Sequence, residues 1–187
     1  ASCLVGSEMC IRDSVITLPD AAALGKSVKA AIAAGIPVVS MNSGSDDYAS
    51  LGISAHVGQT EFEAGVGGGQ KMKAAGGKKA LCVNHEVGNV ALDRRCAGFK
   101  KGFGGSVDIL GTSNDPTEIQ KAVAAKLGGG YDTILTLGAG LSGEAALKAL
   151  EAAGKVGNVK LGTFDMSPNM LKACLLYTSP SPRDNLP

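Results

Sequence analysis

A dense group of polar side chains in this sequence lies between Asn84 and Asp93, directly after an apolar run that ends at Val83. Amide, imidazole and carboxylate groups donate and accept hydrogen bonds, so such a group suits recognition of a polar ligand. It contains no obvious set of catalytic residues. We therefore predict that Asn84, His85, Glu86 and Asp93 bind a ligand, and we expect no catalytic residue.

A glycine-rich segment from Gly138 to Gly143 matches the pattern G-x-G-x-x-G between a predicted strand and a predicted helix. Glycines there let a pyrophosphate approach the N–H groups of a helix start, and Asp165 ends the next strand, where a ribose-binding acid would lie. Several strand–helix units precede the segment, however, and no catalytic set accompanies it. We favour a loop that admits a small polar ligand near Gly138 and expect no cofactor, with dinucleotide binding as an alternative.

The remaining charged residues could bind a polar ligand, whereas the histidines and cysteines do not form a metal-binding pattern. Asp93 and Asp165 can accept hydrogen bonds from vicinal hydroxyls, and Arg94 or Arg95 could donate to such a ligand or form surface charge. The spacing of the histidines and cysteines matches no zinc pattern, so we expect no metal site.

The two ends of the chain are related through their coding DNA. A segment that encodes Leu4–Asp13 has a complementary strand that encodes Cys174–Asp184 in one frame. This segment resembles the adapter of transposase-made sequencing libraries. We therefore treat residues 1–14 and 174–187 as adapter-derived and exclude them from fold reasoning, against the alternative that they are natural tails.

The remaining composition restricts the class of protein. Of 18 basic and 17 acidic residues, 16 and 14 remain once Arg12, Arg183, Glu8, Asp13 and Asp184 are set aside. A net charge near +2 without a Lys/Arg cluster predicts no nucleic-acid partner. No apolar run reaches the roughly 20 residues of a membrane span.

Strand and helix signals alternate along the chain. Asp115, Pro116 and Glu118 have the types and spacing of a helix start, followed by an apolar stripe at helical intervals. Glycines in the helix predicted from Thr60 indicate either close packing or a poorly ordered turn. The alternation predicts an α/β fold, with parallel sheets and helices on both faces. Predicted strands cover residues 15–18, 36–41, 53–57, 81–83, 107–110, 133–137 and 159–164.

Two cysteines, Cys82 and Cys96, remain outside the adapter-derived ends. One lies on a predicted strand and the other on the helix that packs back over it. A disulfide would require Cα atoms within about 7 Å, which this arrangement only just allows. Two separate buried cysteines are the alternative.

The ordered segments VITLPD, GIPVVSMNSG, AHVGQTEFEAG, CVNHEVGN, NDPTEIQKAV and VKLGTFD resemble the type I periplasmic sugar-binding proteins, the ribose-binding-like solute receptors of ABC importers. The resemblance covers essentially all of residues 15–173. It implies a type I periplasmic-binding-protein fold of two α/β lobes that hold a ligand between them, with residues 15–57 in the N-terminal lobe and residues 58–173 in a truncated C-terminal lobe.

By this resemblance, the ligand-binding positions are Asn42, Ser43, Asn84, His85, Glu86, Asp93, Gly138 and Asp165. It implies a sugar or polyol ligand, an ABC permease as partner, a periplasmic or extracytoplasmic location and no enzymatic activity. Related receptors have Asp-Arg where this chain has Asn42-Ser43, so we expect a different hydroxyl pattern or a ligand that is not a pentose. Because opening and closing units of the fold are missing, we expect weak ligand binding. The sugar-sensing core of a lactose-repressor-type regulator is an alternative with the same fold.

Overall fold

The computed structural model describes residues 13–177, which form two compact units, one ending at Glu61 and one beginning at Phe62. Most of the predicted adapter-derived sequence, residues 1–12 and 178–187, lies outside the described residues. The last helix continues past Ala173 as far as Tyr177, so it includes the first four residues that we assign to the adapter.

The first unit contains a parallel sheet of three strands in the order β1-β2-β3. Asp20 caps the helix between β1 and β2, because its carboxylate accepts hydrogen bonds from the N–H groups of Ala22 and Ala23. A small apolar core lies between that helix and the sheet. The elements are β1 (Ser14–Ile16), α1 (Ala21–Ala33), β2 (Val38–Asn42), a 3-10 turn (Ala49–Leu51) and β3 (Ala55–Gly58).

The second unit contains a parallel sheet of four strands in the order β5-β4-β6-β7. Helices connect successive strands, so the polar segments that follow the strands lie at the carboxyl edge of the sheet. The elements are α2 (Glu61–Ala74), β4 (Lys79–Asn84), α3 (Val90–Phe103), β5 (Ser106–Gly111), α4 (Pro116–Lys126), β6 (Thr133–Thr136), a π-helical turn (Ala139–Gly143), α5 (Glu144–Ala152), β7 (Lys160–Thr163) and α6 (Pro168–Tyr177).

Strand β4 is buried on both faces and divides the core of the second unit into two layers. Leu81 and Val83 face one layer, whereas Ala80 and Cys82 face the other, as the two-residue period of a strand requires. The first layer is completed by aliphatic side chains of α4 and α5, including Ile119. The second layer is completed by α3, which contributes Leu92, Cys96, Phe99 and Phe103.

Helices α2 and α3 approach each other closely through glycines. A Cβ atom added to Gly65 would overlap the carbonyl oxygen of Arg95, and one added to Gly98 would overlap the carbonyl oxygen of Phe62. Gly69 and Gly102 make equivalent contacts one turn further along each helix. The glycines therefore mark close packing, which was one of the two interpretations of the sequence.

Cys82 of β4 and Cys96 of α3 form a disulfide, with their Cα atoms 5.9 Å apart. Both residues are fully buried in the layer that contains Phe99. The bridge therefore joins α3 to the central strand of the sheet, and the alternative of two separate cysteines is wrong.

The predicted alternation of strands and helices is confirmed, with element ends that differ by one or two residues in most cases. The main difference is at Ala139–Gly143, which form a π-helical turn continuous with α5 rather than an open loop. Among the helices of residues 13–177, none combines the length and the apolar character needed to cross a membrane.

Candidate ligand-binding site

The end of β4 is organised by the side chain of Asn84, which is only 2% exposed. Its Nδ2 donates a hydrogen bond to Oδ1 of Asp93 at 2.7 Å, and its Oδ1 accepts one from the N–H of Glu86 at 3.0 Å. Asn84 thus fixes the start of the loop and the first turn of α3 at once. Because it is buried, it positions its neighbours more than it presents itself to solvent.

The loop after Asn84 is closed by Asn89, which caps α3. Its Oδ1 accepts a hydrogen bond from the N–H of Ala91 at 3.0 Å, and its Nδ2 donates one to Oε2 of Glu86 at 3.1 Å. The exposed carboxylate of Glu86 is therefore held by a neighbouring side chain, and Asn89 is a site-building residue that we did not include among the candidates. Its position directly before a predicted helix, where asparagine commonly caps, could have identified it from the sequence.

His85 lies half-buried between this loop and the segment after β6. Its Nδ1 is 3.3 Å from Oγ of Ser142, and its ring lies against Gly138, where an added Cβ would be 3.2 Å from Cε1. Burial lowers the pKa of His85; the charge of Glu86 opposes this shift, Arg95 adds to it and Asp165 opposes it. These interactions bring His85 together with candidate residues that follow three different strands.

The π-helical turn presents Ser142 to His85 from the base of the site. Oγ of Ser142, which is fully buried, donates to the carbonyl oxygen of Gly138 at 2.9 Å, and the N–H of Gly143 donates to the same oxygen at 2.8 Å. Isolated π-helical turns of this kind occur frequently at functional sites. The spacing of the glycines could not distinguish this turn from a loop, and Ser142 was therefore missed.

Two candidate residues have a strained backbone. Asn42, at the end of β2, and Asp165, directly after Phe164, both have φ near 65°, and they are the only non-glycine residues with positive φ in the described part of the chain. Such a conformation costs on the order of 1 kcal/mol or more, and residues that adopt it are concentrated at binding and active sites. The strain is therefore an independent reason to retain both residues as candidates.

Arg95, which the sequence offered as a ligand donor or as surface charge, is not one of the eight candidate residues, and its burial excludes surface charge. It is 6% exposed, its Nη1 donates to the carbonyl oxygen of Leu137 at 3.2 Å, and its guanidinium lies 4.5 Å from the ring centre of Phe164. It thus connects α3 to the segments that follow β6 and β7. Its place three residues after Leu92 and four before Phe99 puts it on the buried side of α3, which was a usable signal.

Asn42 and Ser43 belong to the first unit, at the carboxyl end of β2. Asn42 is exposed, whereas Ser43 is 4% exposed and its carbonyl oxygen accepts a hydrogen bond from the N–H of Leu18 at 3.2 Å. The remaining six candidates are Asn84, His85, Glu86, Asp93, Gly138 and Asp165, which all lie at the carboxyl edge of the sheet in the second unit.

Comparison with known proteins agrees with this architecture. Residues 15–178 match the family model described as periplasmic binding protein domain. The chain belongs to this family. No curated protein matches this periplasmic binding protein domain significantly.

Several solved structures resemble the domain and have the type I periplasmic-binding-protein fold. A carbohydrate transporter from Acidothermus cellulolyticus 11B, in complex with myo-inositol, is 34% identical with a TM-score of 0.82, and the match covers 87% of this chain and 57% of that one. A solute-binding protein of an ABC transporter from Burkholderia graminis C4D1M, in complex with D-arabinose, is 24% identical with a TM-score of 0.78, covering 88% and 60%. The chain therefore spans about three fifths of the length of these proteins.

Proposed function

We propose that this chain is part of a solute-binding receptor of an ABC importer, which captures a sugar or polyol and releases it unchanged. The observation that supports this proposal is the group of hydrogen-bonding side chains around His85, at the carboxyl ends of β4, β6 and β7. Imidazole, carboxylate and amide groups together can accept and donate the hydrogen bonds of several hydroxyl groups. The 34% identical neighbour was solved with myo-inositol, which gives a first ligand to test.

In this proposal the exposed carboxylates of Glu86, Asp93 and Asp165 accept hydrogen bonds from ligand hydroxyls. Asn84 holds Asp93 in place, and Gly138 leaves room beside the ring of His85. Asn42 and Ser43, which lie in the first unit, are the other two proposed ligand-binding residues. We further propose that residues 15–57 belong to the N-terminal lobe and residues 58–173 to the C-terminal lobe.

A receptor role also sets the partner and the location that we propose. The ligand-bound protein would dock on an ABC permease in the periplasm or an equivalent extracytoplasmic space. An oxidising compartment of this kind is where a buried disulfide such as Cys82–Cys96 persists.

The pair formed by Ser142 and His85 does not argue for hydrolysis. A serine and a histidine 3.3 Å apart are the components of a nucleophile and its base. Ser142 is fully buried, however, and its hydroxyl donates to the carbonyl oxygen of Gly138, so its oxygen cannot reach a substrate. We therefore propose binding without a chemical step.

The proposal can be tested by NMR on the ¹⁵N-labelled chain, since chemical shifts detect weak binding. We expect myo-inositol or another polyol at millimolar concentration to move the backbone amide signals of residues 84–86, Gly138 and Asp165, and to leave those of α4 unchanged. Asp165→Asn should raise the Kd obtained from these shifts about tenfold, since a charge-assisted hydrogen bond is worth roughly 1.5–3 kcal/mol. Glu151→Gln, the same chemical change at an exposed position of α5, should not.

Three results would contradict the proposal. The first is a response to NAD and to none of a panel of sugars and polyols, which would favour the dinucleotide interpretation of Gly138–Gly143. The second is a response confined to residues outside the carboxyl edge of the sheet. The third is conversion of a bound sugar into a product, detected in the same samples.

A further inference from the structure

The hydrogen bonds around His85 determine which of its ring nitrogens carries the proton. Oγ of Ser142 is 2.9 Å from the carbonyl oxygen of Gly138 and 3.3 Å from Nδ1 of His85. A carbonyl oxygen can only accept, and a hydroxyl has a single hydrogen to donate. That hydrogen is used toward Gly138, four residues earlier, as serine in a helix commonly does. Nδ1 of His85 must then be the donor toward Oγ.

The other ring nitrogen, Nε2, is left without a protein partner. None of the hydrogen bonds within residues 13–177 involves it. In the same part of the chain, the only buried side-chain nitrogen or oxygen without a partner is Nε2 of His56, so Nε2 of His85 is reached by solvent. Gly138 keeps this nitrogen open, because a Cβ there would lie 3.6 Å from it.

We infer that His85 is held as the Nδ1–H tautomer and that its Nε2 accepts a hydrogen bond from a hydroxyl group of the ligand. This inference rests on the proposed function and makes it more specific. The neutral ring is a fixed acceptor with a defined direction, oriented by Ser142 rather than by the ligand. Ser142 is therefore a positioning residue for recognition, although it does not touch the ligand.

The charges that face His85 are compatible with a neutral ring. Arg95 from α3 and burial of the imidazole lower its pKa, while Glu86 in its own loop and Asp165 after β7 act in the opposite direction. The balance is a lowered pKa, so the ring stays unprotonated at neutral pH.

The tautomer also restricts the chemistry of the ligand. An alcohol group can donate its hydrogen to Nε2, whereas an ether, a carbonyl or a carboxylate would place lone pairs against the lone pair of the nitrogen. The site thus selects a ligand that presents a hydrogen-bond donor, such as the free hydroxyl of a sugar or polyol, at the position beside Gly138.

The tautomer can be observed directly in the full chain, without a ligand. Histidine is present only at positions 56 and 85, so a two-bond ¹H–¹⁵N spectrum contains two ring patterns, and His56→Gln or His85→Gln assigns them. We expect His85 to show a protonated Nδ1 and an unprotonated Nε2. Ser142→Ala should shift its population toward the Nε2–H form. Ser40→Ala removes the hydroxyl beside Nδ1 of His56 instead and should leave His85 unchanged.

A second measurement adds myo-inositol to the same samples. We expect the ¹⁵N signal of Nε2 to move in the direction of a hydrogen-bonded acceptor, and Ser142→Ala to weaken binding about threefold to tenfold, the effect of one neutral hydrogen bond. Ser40→Ala should leave the affinity unchanged. An Nε2–H pattern in the free chain would overturn the inference, as would binding that shifts the amides of residues 84–86 without moving Nε2. Absence of every amide shift with all polyols would instead overturn the proposed function, while the tautomer of the free chain still decides how His85 is held.

Discussion

On one face of the four-stranded sheet, α4 and α5 pack through aliphatic side chains, whereas on the other face α2 and α3 meet backbone to backbone and α3 is also joined to β4 by a disulfide. The first kind of contact depends on filled volume. The second depends on the absence of side chains and on a covalent link. Asp93 and Arg95, the two charged site residues on a helix, both belong to the face that carries the disulfide and the glycine contacts.

We expect the largest loss of stability from a substitution on the aliphatic face. Ile119→Ala would leave a cavity between α4 and the sheet, because this side chain is fully buried. The free energy of unfolding should fall by about 2–5 kcal/mol in urea denaturation. Lys121→Ala on the same helix is the control and should change it by less than about 0.5 kcal/mol, since its ion pair with Glu118 is exposed. Similar losses for the two variants would contradict the packing that we describe.

On the opposite face, we expect removal of the disulfide to destabilise the protein somewhat less than Ile119→Ala does. Replacing Cys82 and Cys96 together by Ala opens a loop with a sequence separation of 14. We expect the free energy of unfolding to fall by about 3 kcal/mol, mainly because the unfolded chain gains entropy. A reducing agent should lower the melting temperature of the unmodified chain and not that of the double variant. Equal sensitivity of both proteins to the reductant would show that the bridge does not form.

Replacing glycine by alanine should have opposite effects on stability at two positions of α2. Gly65→Ala should destabilise the chain by about 1–3 kcal/mol, because the added methyl group overlaps the carbonyl oxygen of Arg95. Gly67→Ala, which has open space around it, should stabilise the chain by up to about 1 kcal/mol through helix propensity. Thermal melts of the two variants compare them directly. If Gly65→Ala also stabilises the chain, α2 and α3 are not in close contact.

The smallest effect concerns the cap of α4 on the aliphatic face. The N–H groups of Glu118 and Thr117 donate to the carboxylate of Asp115 and lower its pKa below its ordinary value of 3.8. The folded state therefore binds a proton at the Asp115 carboxylate less readily than the unfolded state does. The stabilisation is present above pH 3.8 and is lost as the pH falls through the folded pKa. Asp115→Asn keeps a cap that does not titrate. The difference in free energy of unfolding between the unmodified chain and this variant should therefore vary with pH only in the acid range. A difference that does not vary with pH would contradict this assignment.

The parts of the fold that could be predicted from the sequence depend on local patterns. Asp20 and Asp115 marked the starts of α1 and α4, and the helical spacing of Leu92, Cys96 and Phe99 marked α3. The disulfide could not be decided in this way, because it depends on how far α3 stands from the sheet. The close contact between the glycines of α2 and the backbone of α3 likewise involves two separate helices and no local pattern.

The candidate site could also be predicted only in part from the sequence. His85, Gly138 and Asp165 follow different strands, and the expectation that strand ends meet at one edge of a parallel sheet is what grouped them. Arg95 was treated together with Arg94 as a ligand donor or as surface charge, although its spacing from Leu92 and Phe99 placed it on the buried side of its helix. Whether these groups contact a ligand stays a prediction that the binding experiments address.

The π-helical turn between Gly138 and α5 contains one residue more than an α-helical turn would need. Deleting Gly140, around which there is open space, would return the segment to α-helical register. Residues on one side of the deletion would then rotate by about 100° relative to the other, the angle per residue of an α-helix, and Ser142 would no longer face His85. A change in segment length alone could therefore alter ligand preference in this protein, with every side chain of the site still present.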